Sequence, residues 1–225
     1  MTEYEPIFFD IETTGFNPLS QHWHSEVKNG ARVTAVGVGR LFGWREAEGH
    51  EDCTYETTVY WDESEYRLLE VLHDRVMEMA EDIEDDGQEP FLVTFNGRKY
   101  DHPYLGARFS RLRLDGRPFT HGTKRLDMFR ALGKHEDSVK RYPSEDDCLE
   151  VFGIESDDPY DGSDMPEMYD QGNWQAIEDH ARDDTEEMMR LFVETRNTCM
   201  GEFYDHYNVE REPNFVPTFD PDSDQ

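Results

Sequence analysis

Lysine, cysteine and long hydrophobic runs are all scarce in this sequence. Only five of its 22 Lys+Arg residues are lysines, and 52 Asp+Glu give the 225-residue chain a formal net charge of −30. The three cysteines stand far apart, so neither a disulfide framework nor a zinc site is predicted. No apolar run reaches the length of a transmembrane helix, and the first residues show no signal-peptide pattern. We therefore expect a cytoplasmic protein without membrane contact.

The excess of acidic residues is the most unusual property of the composition. Aromatic residues make up 13% of the chain and apolar patterning persists, which argues against an acidic disordered segment. Uncompensated carboxylates repel one another in dilute buffer, and the repulsion weakens near 1 M salt, where the Debye length is about 3 Å. Such a composition resembles that of proteins from salt-loaded cytoplasms, and we expect a halophilic protein.

Hydrophobic patterning predicts one compact α/β domain. Three early strands are followed by alternating helices and strands, which indicates a mixed sheet with helices on its faces. The predicted strands cover residues 7–14, 31–42, 54–61, 90–95 and, more weakly, 121–127; the predicted helices cover 62–83, 103–112, 129–132, 144–152 and 173–197.

Two carboxylates, Asp10 and Glu12, lie two residues apart in the first predicted strand. Residues i and i+2 of a strand project from the same face. Adjacent carboxylates in a segment otherwise suited to burial are costly unless a cation neutralises them, and carboxylate oxygens are preferred Mg²⁺ ligands. The pair therefore favours a divalent-metal site; the alternative is a solvent-facing edge with two scattered acids.

A third carboxylate, Asp101, follows the fourth predicted strand. Open α/β sheets place ligand sites just beyond the ends of their strands. Asp101 can also serve as the N-cap of the helix that opens at His102-Pro103, and the two roles are compatible.

The last predicted helix carries Asp184 in the middle of its apolar stripe, whereas Asp183 falls among charged residues. A carboxylate centred on an inward stripe needs a partner, so the periodicity selects Asp184. His180 lies one turn before it on the same side. A lone histidine beside a core face is more often structural than catalytic, and both roles stay open at this point.

These segments resemble the motifs of the DEDD 3′–5′ exonucleases of the ribonuclease H-like superfamily. The matching motifs are Asp-Ile-Glu-Thr-Thr-Gly at 10–15, Asn-Gly-x-x-x-Asp-x-Pro-x-Leu at 96–105 and His-x-x-x-Asp-Thr-Glu at 180–186. Residues 165–172 are similar to a segment that precedes the final helix in predicted exonucleases related to the proofreading domain of family B DNA polymerases. The resemblance spans roughly residues 6–196.

The resemblance implies a ribonuclease H-like mixed five-stranded sheet flanked by helices. It implies one exonuclease domain over residues 1–212, followed by a flexible acidic tail over 213–225. The implied substrate is single-stranded DNA or RNA.

The resemblance also implies a two-metal mechanism. Two Mg²⁺ or Mn²⁺ ions roughly 3.5–4 Å apart would be bound by the four carboxylates, with Asp10 bridging both ions. Members of the family carry either Tyr four residues before the last Asp or His five residues before it, whereas His180 stands four before Asp184. In that position His180 would orient or deprotonate the attacking water.

Basic residues concentrate between positions 98 and 130, a stretch that contains nine Lys and Arg but only three Asp. We expect phosphate contacts there, although arginines paired with the abundant acids are an equally good interpretation for any single residue. The predicted nucleic-acid contacts are Thr13, Asn96, Arg98, Lys99, Arg108 and Arg111.

Two further acidic features are predicted to have ordinary roles. The segment 157–162 lacks the ligand pattern of a calcium loop and is interpreted as a solvated loop. Asp127 is interpreted as a helix cap. Two other functions remain as alternatives: a ribonuclease H-like endonuclease that uses the same carboxylates, and a non-catalytic nucleic-acid-binding module on the same fold.

Overall fold

The computed structural model describes residues 2–14, 31–133, 144–156, 158–160 and 162–209, without the side chains of 120 and 121. The strands are β1 (Tyr4–Thr14), β2 (Arg32–Phe42), β3 (Thr54–Trp61), β4 (Glu89–Thr94) and β5 (Lys124–Asp127). The helices are α1 (Glu65–Asp85), α2 (Asp101–Leu112), α3 (Met128–Gly133), α4 (Glu145–Phe152), α5 (Met165–Gln171) and α6 (Trp174–Tyr207). None of the described helices is long and apolar enough to cross a membrane.

The five strands form one mixed sheet in the order β3-β2-β1-β4-β5. The consecutive strands β1, β2 and β3 pair antiparallel, whereas β1 pairs with β4, and β4 with β5, in parallel. The parallel pairs require crossovers, which α1 and α2 supply. The predicted mixed five-stranded sheet flanked by helices is thus confirmed.

Both faces of the sheet are covered by apolar side chains. Alternation along β1 sends Ile7 and Phe9 into a core shared with α1 and α2, and Phe8 into a core shared with α6. The aromatic ring of Phe8 meets that of Phe192 edge-on at 5.3 Å between centroids. Residues of β1 that continue the Phe8 side therefore point towards α6.

Two differences from the predicted elements concern the C-terminal half. Helix α6 continues ten residues beyond the predicted end at 197, because Phe203 and Tyr204 are buried against Tyr4. Helix α5 was not predicted as a helix, since it is short and carries Pro166 in its first turn. The acidic tail predicted over 213–225 lies outside the described residues.

Candidate metal centre

Asp10 and Glu12 continue the face of β1 that begins with Phe8. Glu12 is buried with 6% exposure, and Asp10 is partly buried. The pairing register of β1 with β2 shifts between Glu12 and Thr13, an irregularity of the kind found beside active sites. The strand therefore presents both carboxylates to α6, as the i and i+2 spacing predicted.

Helix α6 approaches the sheet closely because β2 carries glycine opposite Asp10. A Cβ atom on Gly37 would lie 2.0 Å from Thr185 Oγ1 and 2.6 Å from the backbone oxygen of Ala181. No side chain fits there unless the helix moves away from the sheet. The missing side chain thus brings the turn between His180 and Asp184 against β1.

Asp101 reaches the same region from the other side of β1. It is the first residue of α2, where it follows a turn with Asn96 in the left-handed region at φ 60°. A Cβ atom on the next residue, Gly97, would lie 2.7 Å from Asp101 Oδ2. The Asn96-Gly97 turn therefore leaves room for the carboxylate, which is not an N-cap because Tyr100 occupies that position.

His180 stands between two of the carboxylates. Its Nε2 lies 3.5 Å from Glu12 Oε1 and 3.5 Å from Asp184 Oδ2, and its side chain is only 4% exposed. These distances exceed those of good hydrogen bonds, and Nε2 has no hydrogen-bond partner among the described residues. The ring nitrogen is therefore directed at a space enclosed by carboxylate oxygens.

The four carboxylates affect one another's ionisation. Burial is the largest cause that raises the pKa of Asp10, Glu12, Asp101 and Asp184. The charge of Asp10 raises the pKa of each of the other three, and His180 acts on Asp10 in the opposite direction. The charges of the four predicted carboxylates thus act on one another, and the distances from His180 Nε2 join two of them, Glu12 and Asp184.

The cluster fits a divalent cation on the chemistry of its donor atoms. One ligand atom each from Glu12, His180 and Asp184 lies within 4.8 Å of the others. The ionised carboxylates are acceptors only, and so is Nε2 when Nδ1 carries the ring proton. Several buried acceptors that face one space need a cation or water protons between them.

Asp158 also belongs to the site, although the sequence analysis placed this residue in a solvated loop. Its side chain is 5% exposed, and its carboxylate accepts a hydrogen bond from His180 Nδ1. The solvated-loop interpretation was wrong for this residue, although residues 157 and 161 lie outside the described part of the chain. The local sequence around Asp158 does not reveal its contact with His180, because the two residues are 22 positions apart.

Glu145 and Glu187 extend the acidic surroundings of the cluster. Both line a cavity of about 550 Å³ together with Asp158, His180 and Asp184. Burial, followed by the charges of Asp184 and Asp10, raises the pKa of Glu145 well above its ordinary value. Glu187 is nearly inaccessible, with 6% exposure. Neither residue has a local motif that would have revealed it.

The predicted nucleic-acid contacts fall into two groups. Arg98, Lys99 and Arg111 are exposed, and Thr13 and Asn96 are partly buried near the carboxylate cluster. Arg108 is buried instead, and its Nε donates to Glu65 Oε1 at 2.7 Å. The assignment of Arg108 to a phosphate-facing surface was wrong, because its charge is used inside the core between α1 and α2.

The sequence model of the RNase H superfamily matches residues 45–195, more than half of the chain, and the chain belongs to this superfamily. The matched range contains Asp101, His180 and Asp184, whereas β1 precedes it. No curated protein matches the sequence.

Two solved structures are similar to this chain in fold. The family B DNA polymerase from the hyperthermophilic archaeon Pyrobaculum calidifontis has a TM-score of 0.61 at 16% identity, over 86% of this chain and 24% of the polymerase. A structure of exonuclease I has a TM-score of 0.50 at 12% identity, over 91% of this chain and 43% of that one. The chain therefore spans less than half the length of either protein, and the likeness concerns the fold alone.

Proposed function

We propose that this chain is a divalent-metal-dependent 3′–5′ exonuclease that hydrolyses phosphodiester bonds at the ends of single-stranded DNA or RNA. The observation that carries the proposal is the position of His180 Nε2, which lies 3.5 Å from both Glu12 Oε1 and Asp184 Oδ2 in a buried cluster whose carboxylates also feel the charge of Asp10. The similar folds of a DNA polymerase and of exonuclease I support it.

Asp10, Glu12, Asp101 and Asp184 would hold two Mg²⁺ or Mn²⁺ ions. When bound, such ions supply Lewis acidity and lower the pKa of a coordinated water. The residues of the chain fix the positions of the carboxylate oxygens, because β1 and α6 are both held by packed cores. Preorganised ligands of this kind hold their geometry without rearrangement during the reaction.

His180 is assigned the handling of the water proton. Its Nδ1 donates to Asp158, and a carboxylate only accepts, so the lone pair of the neutral ring lies on Nε2. Nε2 is therefore placed to orient an attacking water and to accept its proton. The shift of one residue from the usual histidine position is compatible with this role, because the side chain still reaches Glu12 and Asp184.

Thr13, Asn96, Arg98, Lys99 and Arg111 are proposed to contact the nucleic acid. Asn96 and Arg98 flank the turn that positions Asp101, and their backbone N–H groups donate to Asp127 at 2.9 and 3.1 Å. A strand that contacts this turn would lie beside the metal centre. Exposed Arg98 and Lys99 provide positive charge in a chain that is otherwise strongly acidic.

A digest of end-labelled oligonucleotides in molar KCl with Mn²⁺ tests the proposal. A 3′–5′ exonuclease shortens a 5′-labelled strand in steps and leaves a circular single strand intact. Cleavage of the circle would establish the endonuclease alternative. Binding without products, in fluorescence anisotropy, would establish the non-catalytic alternative. Asp10→Ala should abolish the products, and Asp179→Ala, on the exposed side of α6, is the matched control.

A further inference from the structure

A cavity beside the metal centre gathers three arginines of the basic stretch. In that stretch Arg108, Arg117 and Lys124 are each paired with a carboxylate. Arg98, Arg125 and Arg130 instead line a cavity of about 380 Å³, called here the arginine cavity. No carboxylate of the described residues forms an ion pair with these three guanidinium groups.

His102 also lines the arginine cavity and is nearly inaccessible, with 5% exposure. Neither of its ring nitrogens meets the distance and angle of a hydrogen bond with a described residue. An unsatisfied buried polar group costs free energy comparable to a lost hydrogen bond. A ligand in the cavity would offer His102 the partner that it lacks.

Arg125 lines the cavity from β5. Its side chain is partly buried, and this burial lowers its pKa, while the nearby Tyr207 acts weakly in the opposite direction. A guanidinium stays charged in proteins, so its removal from water without an anion is unfavourable. An anion in the cavity would offset this cost.

The acids of the cavity do not cancel its positive charge. Asp127 directs its oxygens at the backbone, where Oδ1 accepts from Asn96 N and Oδ2 accepts from Arg98 N. Glu202, on α6, is the other acidic residue of the lining. Three guanidinium groups against these two carboxylates leave a net positive cavity on a chain with a net charge of −30.

The arginine cavity and the metal centre are connected through two consecutive residues at the start of α2. Asp101 faces the carboxylate cluster, and the next residue, His102, lines the cavity. Asp127, which lines the cavity, also binds the turn that precedes Asp101, because its carboxylate accepts hydrogen bonds from the backbone N–H groups of Asn96 and Arg98. A chain of phosphates that ends in the metal centre can therefore continue into the cavity.

We propose that the arginine cavity binds a phosphoryl group, namely a phosphodiester of the nucleic-acid strand whose end occupies the metal centre. The planar guanidinium fork matches the geometry of phosphate oxygens, and the three arginines approach from separate elements. The identity of the ligand as a nucleic-acid strand rests on the proposed function. It involves Arg125 and Arg130, which belong to the basic stretch but are not among the individually predicted contacts, and His102, which the sequence did not indicate.

Binding measurements on an inactive background test the site independently of catalysis. Asp10→Asn protein, in EDTA, is titrated with 5′-labelled oligothymidylate across a KCl series, and separately with inorganic phosphate followed by ³¹P NMR. Arg125→Met and Arg130→Gln remove one charge each inside the cavity. Arg113→Gln removes one charge from an exposed residue outside the cavity lining and is the matched control. Thermal melts establish whether each variant folds. If Arg125→Met does not fold, the binding of Arg130→Gln alone tests the site.

Each cavity variant should weaken oligonucleotide binding roughly three- to tenfold and reduce the slope of log K against log [KCl] by about 0.7, the value for one phosphate contact on a single strand. The control should change neither. Loss of phosphate binding with unchanged oligonucleotide binding would overturn the strand assignment and leave a free-phosphate site. Unchanged binding of both probes would overturn the proposal. If the parent protein binds phosphate through these arginines but no oligonucleotide, the cavity stands and the proposed nuclease function fails.

Discussion

The imidazole of His180 and the carboxylate of Asp158 form a hydrogen-bonded pair in which both side chains are about 5% exposed or less. The contact connects a loop before α5 to the middle of α6, and it fixes which ring nitrogen faces the carboxylate cluster. Asp158 contacts Nδ1, whereas Nε2 faces Glu12 and Asp184, and we infer that Asp158 positions the ring of His180.

Asp158→Asn should lower turnover about 10–100-fold, the usual effect of losing a residue that orients an active-site histidine. The amide keeps the volume of the side chain but removes the charge that holds Nδ1–H. Substrate binding should change little, because Asp158 does not face the proposed strand. Steady-state kinetics separate the two parameters, and Asp179→Asn is the control. A raised KM with unchanged kcat would contradict a positioning role.

His180→Ala should lower turnover by about 10²–10⁴-fold, as expected for the loss of a general base. Metal affinity, measured by isothermal titration with Mn²⁺, should stay nearly unchanged if the carboxylates alone hold the ions. A large loss of affinity would instead make Nε2 a metal ligand, because it belongs with Glu12 and Asp184 to one group of possible ligand atoms. His180→Tyr should recover part of the activity, since it recreates the spacing of the tyrosine-bearing branch. Wild-type activity of His180→Ala between about pH 6 and 9 would show that the ring is a packed neighbour and that the metals alone activate the water.

Stability of the metal-free protein should fall as pH rises. The folded-state pKa values of Asp10, Glu12, Asp101 and Asp184 are raised, so the folded chain keeps protons that the unfolded chain releases. This contribution is complete below the ordinary carboxylate pKa of about 4 and is lost as pH rises through the raised values. Asp127, with a pKa raised to about 6, acts in the same direction.

Asp10→Asn should therefore stabilise the metal-free chain at neutral pH, by about 2–4 °C in Tm for each kcal/mol of relieved repulsion. Thermal melts in molar KCl with EDTA measure the effect, and added Mn²⁺ should stabilise wild type more than the variant. A variant that melts below wild type in EDTA would mean that Asp10 is not under repulsion. Asp179→Asn, which removes an exposed charge from α6, is the control.

Folding should strengthen with salt up to the molar range, because the chain carries a net charge of −30. The measurement is Tm across a series from low to molar KCl, with a matched series in an uncharged osmolyte to separate screening from solute exclusion. A Tm that is indifferent to KCl would refute the halophilic interpretation.

The strands, and the inward faces that carry Asp10, Glu12 and Asp184, could be predicted because their signals are local and periodic. The alternation through Asp10 and Glu12, and the stripe that selects Asp184, depend on neighbours within two turns or fewer. Asp158 could not be predicted in this way, because its partner lies 22 positions away on another element. Arg108 was misassigned for the same reason, since Glu65 lies 43 positions before it.

The basic stretch shows the limit of composition as evidence. Nine cations between positions 98 and 130 indicated a phosphate-facing surface, but charge counts do not show which of them already have partners. In the structure the paired residues stabilise the fold, and Arg98, Arg125 and Arg130 share one cavity. Only the three-dimensional structure distinguishes the basic residues that are paired with carboxylates from those that line the arginine cavity.

Gly37 has no functional group, yet it sets the width of the metal centre. Its hydrogen atom occupies the place where any side chain would meet Thr185 and the backbone of Ala181. Because His180 and Asp184 belong to the same rigid helix, an added methyl group would displace them together, away from Asp10 and Glu12. The distance between β1 and α6 at the carboxylate cluster is thus determined by Gly37, a residue that no substrate or ion would touch.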